Sequence, residues 1–272
     1  MDSRRMIYLV LAILIAIPNI QPLGIPVAIQ KMTRDFYDTI ESLPSGSVVI
    51  LFLDVGMGMW VEVGPGTIAV TQHLLNRPLK LLISGQSPDM PAIWQRMLDF
   101  GNLDFRGKKY GEDYVVLGFY TGQETGAAAM AGNLHLTKAD INRTPLDQIP
   151  MMKNLQTAKD VKAVITSMSG VEEEWYLRQW QGPYGTKVGM ISSAVTVALA
   201  MTYYVSGQLF GIINSLRGGA EYELLIKKPA DGLKGTDMLS MSHLWEIAVI
   251  AIGNILIVME WRKRSQKKEL EA

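Results

Sequence analysis

The sequence contains no cysteine. This excludes structural disulfides, thiolate nucleophiles and thiolate metal sites, and it leaves the compartment open. Histidine is nearly as scarce. His73, His135 and His243 are too far apart to form the paired ligands of a zinc site. No serine stands in a Gly-x-Ser-x-Gly elbow, so a catalytic triad has little support. Nor is there an excess of either charge: 26 basic residues balance 26 acidic ones. Nucleic-acid binding needs clustered positive charge, and the middle of the chain is instead mildly acidic.

The balance hides an asymmetry. Arg4 and Arg5 precede the first apolar run, and Arg262, Lys263, Arg264, Lys267 and Lys268 follow the last one. Of the acids, only Asp2, Glu269 and Glu271 fall in these tails. Residues 6–17 are almost wholly apolar, and apolar character continues past Pro18, Pro22 and Pro26 to Ile29. No small-x-small cleavage site follows, so the segment reads as a retained signal anchor, ended or kinked by its prolines. A second candidate span at 244–261 is bracketed by Trp245 and Trp261, as interfacial tryptophans bracket a span. Glu246 and Asn254 lie within it; Glu246 reads as an interfacial residue. The positive-inside rule places both basic tails in the cytoplasm, which demands an even number of spans and puts the intervening domain outside.

The expected organisation is a signal anchor over 1–29, an α/β domain over 30–228, a linker over 229–242, a membrane helix over 243–261 and a basic cytoplasmic tail over 262–272. One stretch complicates it. The apolar run 189–205 reads either as a third span or as a buried strand followed by a buried helix, and the charge rule favours the second.

The middle domain repeats a short apolar, β-rich run, a turn with Gly or Ser, and a helical stretch. Strands are expected at 48–54, 79–84, 114–119, 161–166 and 187–192, with helices at 66–76, 91–100 and 172–180. Near-continuous apolar strands alternating with helices predict a mostly parallel sheet covered on both faces. The fold class is therefore a three-layer Rossmann-like or flavodoxin-like α/β domain of about five strands, flanked by N- and C-terminal transmembrane helices. The longest connection, 122–156, carries a helix at 126–132, and Pro145 and Pro150 break it further on. It is either a partner surface or a plain insertion.

In such a sheet, ligands bind beyond the carboxyl ends of the strands. The ligand-binding candidates there are Asp54, Gly56, Gly58, Glu62, Gln86, Ser87, Gln123, Glu124, Ser167 and Ser169. Small and hydroxyl residues could present donors to an anion at helix N-termini. Strand-to-helix turns need glycine and N-capping serine in any case. Asp54 and Glu62 could hold a divalent metal or act as acid and base, but no second acid stands two residues after Asp54, so no metal site or catalytic residue is assigned. Gly56-Met-Gly58 lacks the third glycine of a dinucleotide fingerprint, so no cofactor is expected. Gly207, Gly211, Ser215 and Gly219 are spaced by four. On a helix they form one smooth stripe, fit either for packing inside the domain or for an interface with another helix.

Glu62 with Pro65, Tyr110-Gly-Glu-Asp-Tyr-Val-Val-Leu-Gly118, Pro150-Met-Met152, Tyr203-Tyr-Val-Ser-Gly-Gln-Leu209 and Gly219-Ala-Glu-Tyr-Glu223 together resemble the landmarks of a prokaryotic membrane-anchored family with an extracytoplasmic Rossmann-like domain. The resemblance covers most of the chain. It implies no activity and no catalytic residue, and it favours placing 189–205 inside the α/β domain. The layout is also similar, by analogy of fold alone, to extracytoplasmic domains that accompany ABC exporters. The expected function is a non-catalytic module of a cell-envelope complex, in contact with the lipid bilayer and with other membrane proteins or a second copy. The alternatives are a ligand sensor or hydrolase using the strand-end pocket, and a transporter subunit with a third span at 189–205.

Overall fold

The computed structural model describes residues 3–170 and 173–270. Asp2, Glu172 and Glu271, invoked above, lie outside the described residues, as do the side chains of Lys267, Lys268 and Glu269. The chain divides into two units.

The larger unit, Val27–Gly232, is a doubly wound α/β domain. Six parallel strands are β1 Val48–Asp54, β2 Lys80–Gly85, β3 Tyr114–Phe119, β4 Ala163–Met168, β5 Lys187–Ser192 and β6 Leu209–Asn214. Their order is β3-β2-β1-β4-β5-β6, so the winding reverses between β1 and β4. Side chains alternate across the sheet. Ile50, Phe52, Val164 and Met190 enter one apolar layer, whereas Val49, Leu51, Ile165 and Ile191 enter the other. The first layer is closed by α5 Gln123–Gly132, by α6 Glu173–Tyr176, by α7 Gly182–Tyr184 and by α8 Ala194–Val205. The second is closed by α2 Lys31–Glu41, α3 Trp60–Asn76, α4 Met90–Phe100 and α9 Ser215–Leu225.

Three expectations need correction. The four-residue spacing from Gly207 to Gly219 is not a helical stripe. Gly207 sits in a turn with φ +78°, Gly211 lies in β6, and Ser215 and Gly219 belong to α9. The small residues serve separate close approaches: a Cβ on Gly211 would lie 2.5 Å from Cβ of Phe36, and one on Gly219 would lie 2.8 Å from the backbone nitrogen of Gly66. The missed segment supplies a sixth strand. Second, 189–205 is a strand followed by a helix, as the charge rule favoured, and does not form the alternative third span. Its first part is β5, paired with β4 and β6, and α8 has 12 residues, about 18 Å against a hydrocarbon core of about 30 Å. Nor is α8 wholly buried: Val195, Leu199 and Val205 are 60–78% exposed. Third, the linker expected over 229–242 is helical from Asp231 onward.

Helix α3 begins at Trp60, earlier than its Gly64-Pro65-Gly66 run suggests. Pro65 removes one helical N–H bond near the start, where the freed carbonyl of the exposed Val61 can meet water. Gly66 lets α9 pack close on α3. The long 122–156 connection buries Leu134, Leu146, Ile149 and Met152 in the first layer. Two carboxylates on α9 fasten the ends of this unit. Buried Glu221 accepts from the Gln30 N–H at 3.0 Å and the Thr33 hydroxyl at 2.6 Å. Glu223 accepts from the N–H groups of Ala230 and Gly232 at 2.9 and 2.7 Å.

The smaller unit joins the two ends of the chain, Met1–Pro26 and Leu233–Ala272. Helix α1, Ser3–Ile20, carries Pro18 inside it and stops before Pro22. The carboxylate of fully buried Asp237 accepts from the backbone N–H groups of Leu23, Gly24 and Ile25 at 2.7, 3.1 and 3.2 Å. Among the described residues one helix is long and apolar enough to cross a membrane: residues 231–264 of α10, which runs Asp231–Leu270. The shorter α1 does not meet that measure, although its Met6, Leu9, Ile13 and Ile17 are exposed.

Candidate functional site at the carboxyl edge of the sheet

β1 ends on Asp54, which is 8% exposed, on the side of the sheet facing α5 and α6. Its carboxylate accepts from the backbone N–H of Gln86 at 2.6 Å and from the hydroxyl of Tyr176 at 2.6 Å. The Thr166 hydroxyl approaches it at 3.5 Å. Tyr120 is also buried, with its hydroxyl 3.4 Å from that of Tyr176. Burial first, and then the Asp54 charge, push both phenols well above their ordinary pKa. Both therefore stay protonated at neutral pH and able to donate.

A turn of π-helix, Leu177–Gln181, joins α6 to α7. It follows directly on Trp175 and Tyr176, and such turns recur at functional sites. Tyr176 stacks on Phe52 with ring centroids 4.5 Å apart, and Trp180 meets the same ring edge-on at 5.5 Å. These aromatics form a buried cluster tied to Asp54 through the Tyr176 hydroxyl.

A cavity of about 330 Å³ is lined by Asp54, Gln86, Ser87, Thr121, Gly122, Gln123 and Trp175. That is within the usual size of small-molecule sites. Its back wall depends on two glycines. Gly122 adopts φ +122°, and a Cβ on Gly126 would lie 2.5 Å from the Thr121 carbonyl oxygen and 2.8 Å from Oε1 of Gln86. The Gln86 amide donates through Nε2 to the Gln123 carbonyl at 2.9 Å, and its Oε1 is a buried acceptor without a partner.

The cavity brings together Asp54, Gln86, Ser87 and Gln123 from the expected candidates. The others lie elsewhere. Gly56 caps the short 3-10 turn Met57–Met59 that holds Gly58. Ser167 points to the opposite layer, 2.7 Å from the Thr67 hydroxyl of α3. Ser169 stands half-buried in the turn after β4. Glu124 pairs with Arg178 at 2.8 Å, and Arg178 also holds Glu174 at 2.9 Å. Among the described residues no group of three or more His, Asp or Glu side chains could hold a metal ion.

The donors that could have met an anion are partly taken, as the capping alternative requires. Three backbone donors that a phosphate would use at this edge are taken by the chain's own carboxylates. Asp54 holds the Gln86 N–H, Asp89 holds the Met57 N–H at 2.8 Å, and Glu62 holds the Ala194 N–H at 2.6 Å. An incoming anion would meet negative charge where dinucleotide-binding sheets offer free N–H groups.

Sequence reasoning missed Trp175, Tyr176 and Tyr120. An aromatic pair after a serine-rich strand end was the one available signal, and it looks like ordinary core.

The fold and cavity define a Rossmann-like α/β module joined to a long apolar C-terminal helix. No protein-family model, no curated protein and no solved structure matches this chain.

Proposed function

We propose that this protein is a membrane-anchored, non-catalytic ligand-binding module that senses a small molecule in the carboxyl-edge cavity. The observation that carries this reading is the convergence of Asp54, Gln86, Ser87, Gln123 and Trp175 on one cavity beside the winding reversal. The lining holds no histidine, and the Ser87 hydroxyl oxygen already accepts from the Asp89 N–H at 3.2 Å. These features fit binding better than covalent or acid–base catalysis. In this reading α10 crosses the membrane, α1 is a retained signal anchor, both termini are cytoplasmic and the α/β unit is extracytoplasmic. The basic tails support that orientation.

The cysteine-free sequence gives a direct test. Ser87→Cys places one thiol at the cavity and Glu112→Cys places one on an exposed surface. A membrane-impermeant maleimide applied to intact cells is expected to label Cys-bearing protein of the second kind. A metabolite fraction is expected to protect only the first kind in detergent-solubilised protein. Absence of labelling until the cells are opened would reverse the topology. Equal reaction of both variants with every fraction would remove the cavity from function.

A second reading, a subunit of a cell-envelope complex, draws on the exposed apolar face of α8: Val195, Leu199 and Val205. Affinity purification in mild detergent tests it. Partners that co-purify with the native chain and are lost with Leu199→Glu support it, and a solitary protein sinks it.

A further inference from the structure

The sign of the charge at the carboxyl edge narrows the ligand class. This inference rests on the cavity being a binding site. Three acids, Asp54, Asp89 and Glu62, occupy turn N–H groups at that edge. One of them, Asp54, lines the cavity itself, and no lysine or arginine is among the lining residues. Arg178, whose partner Glu124 adjoins the lining residue Gln123, is engaged by both Glu124 and Glu174. A buried carboxylate repels anions strongly because little water screens it. It attracts a cation by the same margin.

The remaining walls agree. The Gln86 side chain donates to the Gln123 carbonyl, and its oxygen is an acceptor without a partner. The Gln86 backbone donor is taken by Asp54. The Gln86 backbone N–H is thus not offered to an anion, and the Ser87 and Thr121 hydroxyls, the Gln123 amide and the Trp175 indole are the neutral polar groups that remain beside Asp54. Trp175 adds an indole, the aromatic group that attracts cations best. A carboxylate and an indole thus border the same cavity of about 330 Å³.

We propose that the cavity binds a small organic ligand through a positively charged ammonium group, with Asp54 as its counter-charge and Trp175 as its aromatic wall. The Thr121 and Ser87 hydroxyls at the same cavity suit a hydroxyl or amide on the rest of the molecule.

The test is calorimetric titration of the full chain in mild detergent with four probes: choline, its neutral isostere 3,3-dimethyl-1-butanol, inositol and ADP. Choline is expected to bind at least ten-fold more tightly than the isostere, and ADP not to bind. Asp54→Asn is expected to weaken choline at least ten-fold, and Trp175→Leu by about five-fold, the scale of a partly desolvated cation–π contact. Thermal melting establishes that each variant is folded. Should Asp54→Asn not fold, Trp175→Leu, on the half-buried cavity wall, carries the test alone.

Equal binding of choline and its isostere, or choline binding unchanged in the folded variants, overturns the proposal. Asp54-dependent binding of inositol without choline also overturns it, while leaving the cavity as a binding site. No binding by any probe overturns the ammonium assignment. The Ser87→Cys protection experiment then decides separately whether the cavity binds anything.

Discussion

Two buried polar clusters, each built around tyrosine, stand in different layers of the same sheet, and they differ in one respect. At the carboxyl edge, Asp54 lines a cavity, with the buried Tyr176 bonded to it and Tyr120 beside Tyr176. Between α2, α3 and α9, His73 is sealed. Its Nδ1 is 2.7 Å from the Tyr222 hydroxyl, its Nε2 is 2.7 Å from Glu41, and Tyr37 stacks on it at 4.6 Å. Arg77 completes the sealed cluster by pairing with Glu41 at 3.1 Å. Both clusters contain perturbed titratable groups, which mark functional sites only in part. The second joins three helices around a histidine that is 3% exposed, and none of its residues lines the carboxyl-edge cavity. A cavity, more than a shifted pKa, distinguishes a site from a strut.

The largest expected effect lies at the close contact of α3 and α9, the two helices that supply His73 and Tyr222. Gly219→Val would drive a Cβ to 2.8 Å from the Gly66 backbone nitrogen, and backbone cannot rotate away. Thermal melting should show a loss of about 3 kcal/mol or more, the upper range for overpacking. Next comes Tyr222→Phe. It leaves a buried His73 nitrogen without its partner and should cost about 2 kcal/mol. Tyr176→Phe at the open cluster should cost less, about 1 kcal/mol, because water in the cavity can approach Asp54 instead. Equal losses for the two tyrosines would erase the contrast between sealed and open.

The contrast also has a pH signature. Burial, opposed by the Glu41 hydrogen bond, holds the His73 pKa below its ordinary 6.5. The unfolded chain then binds the proton more readily than the folded one. Stability present above about pH 6.5 is lost as pH falls through that value toward the lower folded pKa. Melting of the native chain should therefore drop over that interval, and His73→Gln should flatten the part due to this residue. A native melting temperature that rose as pH fell there would contradict the sealed description. The smallest effect belongs to the surface: Leu199→Ser on α8, at 60% exposure, should change stability by less than about 0.5 kcal/mol.

The parts legible in the sequence were those set by local pattern. β1, β3 and β5 fall where continuous apolar runs place them, 48–54, 114–119 and 187–192. β2 and β4 were displaced by one or two residues, because an apolar residue before a strand looks the same as one inside it. β6 was hidden because glycine, serine and glycine at four-residue intervals imitate a helix face. Only the tertiary partners, Phe36 against Gly211 and Gly66 against Gly219, reveal two separate packing contacts.

The site was half legible for the same reason. Strand-end position led to Asp54, Gln86, Ser87 and Gln123. Trp175 and Tyr176 depend on the π-turn that follows them, and Ser167 faces away because alternation along β4 sends odd positions to the other layer. Neither fact follows from residue type.

The most direct test compares the two clusters in one assay. Full-length native chain, Asp54→Asn and His73→Gln would be melted in mild detergent against a panel of small cationic, neutral and anionic metabolites. The account predicts that some compound raises the melting temperature of the native chain and of His73→Gln, and that Asp54→Asn abolishes that rise. No rise for any compound, or a rise that survives Asp54→Asn but not His73→Gln, would contradict the assignment of function to the carboxyl edge.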